Sequence, residues 1–144
     1  MNKLATSLLI SLLATVLIGC SSGSSTTSPG DVVLNISGKF EGTFENTEGN
    51  QSGLATFDLQ LAEDEMTVSG NALFDDENNQ CLLSGPITGT LAGSNLTLSL
   101  DDFTFTLAVS SDANTLSGTY ARSSNEDTRC GRTTGAGNIT LTRS

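Results

Sequence analysis

Residues 96–109 read LTLSLDDFTFTLAV, and the fold class follows from the pattern of these residues. Large apolar side chains recur at every second position through residues 96–100 and again through residues 103–109, with the acidic pair Asp101-Asp102 between them. A period of two places the apolar side chains of a β-strand on one face. The short connection makes the two strands antiparallel, because a parallel crossover needs a dozen or more residues. The stretch therefore predicts a β-hairpin with one buried face.

The same alternation continues on both sides of the hairpin, from Val32 onward. It predicts eight strands separated by clusters of Gly, Asn, Asp and Ser. All six phenylalanines and the single tyrosine fall on the apolar face, where only Tyr120 carries a polar group. We expect the acidic side chains to lie in surface loops or on outward positions. The apolar face is assigned, strand by strand, to Val32, Leu34, Ile36, Gly38, Phe40, Gly42 and Phe44; Ala55, Phe57, Leu59 and Leu61; Met66, Val68, Gly70, Ala72 and Phe74; Cys81, Leu83, Gly85, Ile87, Gly89 and Leu91; Leu96, Leu98 and Leu100; Phe103, Phe105, Leu107 and Val109; Leu116, Gly118 and Tyr120; and Gly135, Gly137, Ile139 and Leu141.

The short connections between these strands predict sequential antiparallel hairpins. An eight-stranded meander either closes into an up-and-down β-barrel or folds into a β-sandwich. Glycines at the inward positions 38, 42, 70, 85, 89 and 118 favour the barrel, because glycine within a strand marks tight bending or close backbone packing. The sandwich is the alternative.

Such a barrel resembles those of the avidin and lipocalin groups, and LSGTY at residues 116–120 is similar to a Gly-Thr-Tyr strand of avidin-like proteins. Avidin-like biotin sites depend on tryptophan, and lipocalins carry a Gly-x-Trp signature. This chain has no tryptophan. The resemblance therefore implies a barrel and transfers no binding residues.

The N-terminus has the order of a secretory signal peptide, with Lys3 preceding an apolar run over residues 4–17. The run is shorter than the roughly 20 apolar residues of a membrane-spanning helix. Leu17-Ile18-Gly19-Cys20 resembles the lipobox of bacterial lipoproteins, which implies a type II signal peptide at residues 1–19 and a lipidated Cys20. Acyl chains such as palmitate would then anchor the chain to a membrane, because two or more chains give stable attachment.

Residues 20–31 are rich in Ser, Thr and Gly and predict a flexible tether, which leaves residues 32–144 as the β-barrel domain. The expected location is the cell envelope. In lipoproteins of this type a residue other than Asp after the lipidated cysteine, here Ser21, accompanies sorting to the outer membrane of Gram-negative bacteria.

Charge and composition exclude several classes of function. The full chain has a formal net charge of −10, and removal of Lys3 with the signal leaves −11. Such a chain repels nucleic acid and anionic headgroups, so we expect no nucleic-acid partner. The absence of histidine excludes Ser/His and Cys/His nucleophiles and histidine metal sites. We predict no enzymatic activity and no cofactor.

Three acidic clusters, at residues 63–65, 75–79 and 101–102, raise the question of calcium. Calcium binds six to eight oxygen ligands, but none of the clusters has the spacing of an EF-hand loop. We therefore interpret them as solvated turns and predict no metal site.

In a meander, alternate connections share one end of the sheet. The loops at residues 46–52, 75–80, 101–102 and 122–134 are therefore expected at one end, and the tether at the other. Cys81 and Cys130 are expected at the same end as these four loops, which is the end away from the tether and the membrane. An oxidising compartment predicts a disulfide between them, which would draw the last loop across the barrel mouth.

That last loop carries three arginines, and the disulfide would bring them near three carboxylates. Either the arginines neutralise the carboxylates and order the loop, or together they form an interaction surface for an envelope or extracellular protein. The sequence thus predicts a non-enzymatic β-barrel lipoprotein that interacts through its membrane-distal end; the alternative is a carrier of a small apolar ligand. The residues of the candidate surface are Arg122, Arg129, Arg132, Asp75, Asp76 and Glu77.

Overall fold

A computed structural model describes residues 33–47, 52–76, 81–123 and 135–144. These residues form β1 (Gly38–Asn46), β2 (Ser52–Leu61), β3 (Thr67–Asp76), β4 (Cys81–Ala92), β5 (Asn95–Leu100), β6 (Phe103–Val109), β7 (Thr115–Arg122) and β8 (Ala136–Arg143). Within these ranges there is no helix long and apolar enough to cross a membrane.

The eight strands form one closed barrel. Each strand pairs antiparallel with the next along the chain, and β8 pairs back onto β1, where Phe44 lies opposite Ile139. The prediction of an eight-stranded up-and-down barrel is confirmed, and the β-sandwich alternative is wrong. Closure pairs both edges of the sheet, so neither β1 nor β8 offers a free edge to another chain.

Alternate side chains of the strands fill the barrel interior. The hairpin from β5 to β6 shows the pattern most clearly, with every second residue buried and the residues between them exposed. The central ring of Phe57 contacts the rings of Phe74 and Phe105 edge-on, at centroid distances of 5.7 and 5.4 Å. Burial of these rings, together with the aliphatic side chains of the core, stabilises the barrel, since a buried apolar side chain is removed from water.

Inward glycines occur where two strands approach closely. A Cβ atom at Gly42 would overlap the carbonyl oxygen of Thr140 on β8, and one at Gly118 would overlap that of Thr106 on β6. The prediction that these glycines mark close backbone packing is therefore confirmed at both positions. A barrel this narrow must bend its strands sharply, and only a residue without a side chain fits at such a bend.

The basal end of the barrel, where the connections β2–β3, β4–β5 and β6–β7 lie, is covered by the segment before β1. Ile36 is fully buried there. Arg143, the last residue of β8, donates hydrogen bonds to the carbonyl oxygens of Ser37 at 2.5 Å, Asn35 at 2.8 Å and Ala113 at 2.8 Å. Its guanidinium also lies 4.7 Å from the ring centroid of Phe40. One side chain thus joins the entering segment to the β6–β7 turn.

Two details of the predicted strands are wrong. β1 begins at Gly38 rather than at Val32, because Gly38 has a φ of +131° that interrupts the extended backbone. Met66, predicted to face the interior, is 58% exposed. The carboxylate of Asp64 accepts the backbone N–H groups of Met66 and Thr67, which keeps Met66 in the turn before β3.

Candidate functional site at the distal end of the barrel

The distal end of the barrel, opposite Arg143, has aromatic walls. Phe44 meets Phe74 edge-on at a centroid distance of 5.5 Å, and Phe74 stacks on Phe105 at 5.5 Å. The ring of Tyr120 lies 6.2 Å from both Phe44 and Phe105. Phe103 lies 6.4 Å from Phe105. Five rings from four strands therefore surround the same space.

Two polar side chains are buried above these rings. Asn46 is 6% exposed and Asp76 is 2% exposed. They are the last residues of β1 and β3, and each follows an inward phenylalanine, Phe44 or Phe74, by two positions. The expectation that acidic side chains lie outside is wrong for Asp76, and Tyr120 is not the only polar group on the inward face. The sequence did contain the information that Asn46 and Asp76 face inward, because each lies two positions after an inward phenylalanine and so continues the alternation.

A cavity of about 40 Å³ lies among these side chains and is partly open at the distal end. A water molecule needs about 10–15 Å³ of cavity volume, so the cavity accommodates about three water-sized groups. Its walls are mainly apolar with a few polar groups, which is the composition of small-molecule sites. It is lined by Phe44, Asn46, Phe74, Asp76, Leu83, Phe103, Phe105 and Tyr120.

Tyr120 lines the cavity in a protonated state. Burial raises the pKa of Tyr120 to about 12, and the negative charge of Asp76 adds to that rise. The ring lies against the backbone of Gly137 on β8, where a Cβ atom would overlap it. Tyr120 therefore offers a hydroxyl group, both donor and acceptor, at a fixed position in the wall.

Arg122 follows Tyr120 by two positions and also lies inside the barrel mouth. Its side chain is 7% exposed, and its Nε donates to the Oδ2 of Asp102 at 2.6 Å. The guanidinium lies 5.1 Å from the ring centroid of Phe103. Ser123 adds a backbone hydrogen bond to the carbonyl oxygen of Asp102. The ion pair and this bond attach the end of β7 to the β5–β6 turn.

The structure separates the residues of the candidate interaction surface. Asp76 and Arg122 lie in the barrel mouth, whereas Asp75 lies on the outer wall between Leu54 of β2 and Leu82 of β4. Three further members lie outside the described residues: Glu77, Arg129 and Arg132.

The predicted disulfide and lipid anchor fall largely outside the described part of the chain. Cys81 begins β4 and pairs across the sheet with Asp76, which places its backbone at the distal end. Cys130, Cys20 and the lipobox lie outside the described residues. The disulfide and the lipidation both remain predictions.

Two aspartates in described turns, Asp64 and Asp112, accept hydrogen bonds from residues of their own turn. Asp64 accepts the hydroxyl of Thr67 at 2.5 Å, and Asp112 accepts that of Ser110 at 2.5 Å. These hydrogen bonds lower the pKa of both carboxyl groups. Among the described residues no group of three or more acidic or cysteine side chains is arranged to hold a metal ion.

The distal cavity is thus the site that the described residues build, with aromatic walls, one carboxylate, one amide and one hydroxyl. Such groups bind a small molecule by apolar contact and by hydrogen bonds. Comparison of the chain with known protein families, with curated proteins and with solved structures finds no match.

Proposed function

We propose that this chain is a lipid-anchored, non-enzymatic binding protein of the cell envelope, and that its ligand occupies the distal cavity. The resemblance of residues 17–20 to a lipobox supports the anchor. One observation carries the binding role: Asn46 and Asp76 are buried beside aromatic rings around a partly open cavity. Burial of polar groups costs free energy, and a binding site is a common reason for a fold to retain them.

The position of the cavity agrees with this role. The chain enters β1 from the basal end, where Ile36 is buried, and the predicted tether precedes that segment. The distal cavity therefore lies at the end of the barrel opposite the predicted tether. A ligand in the surrounding medium would reach the cavity without crossing the lipid surface.

Two neighbouring leucines provide a matched test. Leu83 lines the cavity, whereas Leu82 points outward and is 64% exposed. Leu83→Phe should fill part of the cavity, and Leu82→Phe should leave it unchanged. Native mass spectrometry of protein purified from its own host should show a bound small molecule on the wild type and on Leu82→Phe, but not on Leu83→Phe. No bound molecule on the wild type, or equal binding to both variants, would contradict the proposed site.

The anchor has a separate test. Cys20→Ser should leave the barrel folded, because Cys20 precedes the barrel domain, and it should abolish labelling by palmitate and release the protein from membranes. Persistent labelling of the variant would refute lipidation at Cys20. The result is independent of whether the cavity binds a ligand.

A second candidate function is contact with an envelope protein. It is favoured by three exposed leucines on the outer wall near the distal end: Leu54, Leu73 and Leu82. Leu54 and Leu82 flank Asp75 in the strand register, so the patch combines apolar surface with one carboxylate. The partner would present an apolar surface with a basic group. Cross-linking on intact cells should then capture one protein with the wild type and lose it with Leu54→Ser/Leu82→Ser, whereas Leu83→Phe should leave capture unchanged.

A further inference from the structure

The distal cavity has its polar groups and its apolar groups at different depths. Asn46 and Asp76 end their strands at the mouth, and Phe44 and Phe74 lie two residues further in. Two residues of a β-strand span about 6.6 Å. A ligand that enters from the distal end would therefore place an apolar part among the rings and keep a polar part at the mouth.

The charge at the mouth favours a cation as the polar part. The carboxylate of Asp76 is the acidic group of the lining, and its charge already contributes to the raised pKa of Tyr120. The guanidinium of Arg122 lies 5.1 Å from the ring centroid of Phe103, so one aromatic ring of the lining already contacts a cation. The nearby guanidinium of Arg122 is paired with Asp102, which offsets its positive charge.

The two buried polar side chains of the lining are hydrogen-bond acceptors. Asn46 and Asp76 each have at least one further interaction within the protein. A carboxylate offers about four acceptor positions, and an amide oxygen offers two. An ammonium group has three N–H donors, which suits acceptors of this kind. The acidic chain, with 16 carboxylates against six basic residues, repels anions in addition.

We infer that the distal cavity binds a small alkylammonium compound, with its charged nitrogen against Asp76 and Asn46 and its hydrocarbon part among the phenylalanine rings. This inference rests on the proposed binding function and specifies its ligand class. The cavity of about 40 Å³ limits the buried part to a few heavy atoms. A short amine fits, and a long acyl chain does not.

The protein contains its own probe for the test. It has one tyrosine and no tryptophan, so its intrinsic fluorescence above the phenylalanine range comes from Tyr120 in the cavity wall. The full chain would be titrated at neutral pH with n-butylammonium, with neutral n-butanol and with anionic butyrate. Butylammonium should bind at least about tenfold more tightly than butanol, and butyrate should bind most weakly; a tenfold ratio corresponds to about 1.4 kcal/mol.

Adjacent aspartates give a matched pair of variants. Asp76→Asn and Asp75→Asn change the net charge equally, but Asp76 lines the cavity and Asp75 lies on the outer wall. The preference for butylammonium over butanol should disappear in Asp76→Asn and persist in Asp75→Asn. If Asp76→Asn does not fold, Asn46→Asp provides the second variant, since it adds a carboxylate at the same mouth and should tighten butylammonium binding severalfold.

The outcomes separate the ligand class from the binding site. Equal affinity for butylammonium and butanol would overturn the ammonium inference and leave the cavity as an apolar site. If Asp75→Asn lost the preference for butylammonium as completely as Asp76→Asn, the cation would be attracted by the overall negative charge of the protein. That result would also overturn the ammonium inference. Unchanged butylammonium affinity in a folded Asn46→Asp would do so as well. If neither butanol nor butylammonium bound, both the inference and the proposed cavity site would be wrong.

Discussion

Arg143 is expected to contribute more to stability than any other charged side chain of the basal end. It donates to the carbonyl oxygens of Ser37, Asn35 and Ala113 and lies over the ring of Phe40. A hydrogen bond to a charged group contributes about 1.5–3 kcal/mol, and a cation–π contact about 0.5–2 kcal/mol. Because Arg143 is only partly buried, water would replace part of these interactions. We therefore expect Arg143→Met to lower the unfolding free energy by about 3–4 kcal/mol, a large share of the 5–15 kcal/mol typical of a domain.

Urea unfolding of the wild type and of three variants would measure this contribution. Arg143→Lys keeps the charge but loses the planar guanidinium, so it should lower the unfolding free energy by about half as much as Arg143→Met does. Lys39→Met removes a positive charge from an exposed ion pair with Glu41 and should change stability by less than about 0.5 kcal/mol. In Arg143→Met, hydrogen exchange should also accelerate at the backbone N–H of Leu61, which donates to the hydroxyl of Ser37. Stability within about 0.5 kcal/mol of the wild type and unchanged exchange at Leu61 would refute this account of the basal end.

Four other predictions concern the barrel and its distal end. The folded state retains the proton of Tyr120 more tightly than the unfolded chain does, so protonated Tyr120 should contribute fully to stability below pH 10, and this contribution should be lost as the pH rises to about 12. Tyrosinate absorbance would report the titration, and a midpoint near pH 10 would contradict burial of Tyr120. Gly118→Ala should cost at least about 3 kcal/mol in urea unfolding, because its methyl group overlaps backbone, whereas Gly93→Ala, which meets open space at a φ of +59°, should cost about 1 kcal/mol. Alkylation and mass spectrometry of the non-reduced protein should find Cys81 and Cys130 unreactive, and two free thiols there would exclude the disulfide. Millimolar calcium should leave the melting temperature unchanged, and a rise of several degrees that EDTA reverses would indicate a calcium site.

The barrel was predictable because a single signal repeats through the chain. Residues 96–100 and 103–109 show it most clearly, and the structure places the two strands and the turn at Asp101 where the alternation predicts them. Strand order followed from the short connections, which leave little choice but antiparallel neighbours. Closure was less direct, since it depended on interpreting inward glycines such as Gly42 and Gly118 as points of close approach.

The candidate site was harder to predict, because two general rules conflict there. Periodicity places Asn46 and Asp76 inside, whereas their polarity predicts that they lie outside. Polarity is the correct guide for the other carboxylates among the described residues, and only the structure shows that periodicity decides at Asn46 and Asp76. The role of Arg143 was not predictable either, since its acceptors lie 30, 106 and 108 residues away along the chain.

Closure between the first and last strands has a consequence for how the chain folds. Glu41 and Thr142 lie opposite each other across the β1–β8 seam, although 101 residues separate them. Among the eight strands β1 is synthesised first and β8 last, so these two can pair only after the six strands between them have been made. Contacts of such long range form slowly. During that delay β1 exposes an unpaired edge. Its outward side chains include Lys39, Glu41 and Glu45, and charged residues on an edge discourage pairing with neighbouring molecules. The charged outward side chains of β1 thus protect it against aggregation until β8 pairs with it.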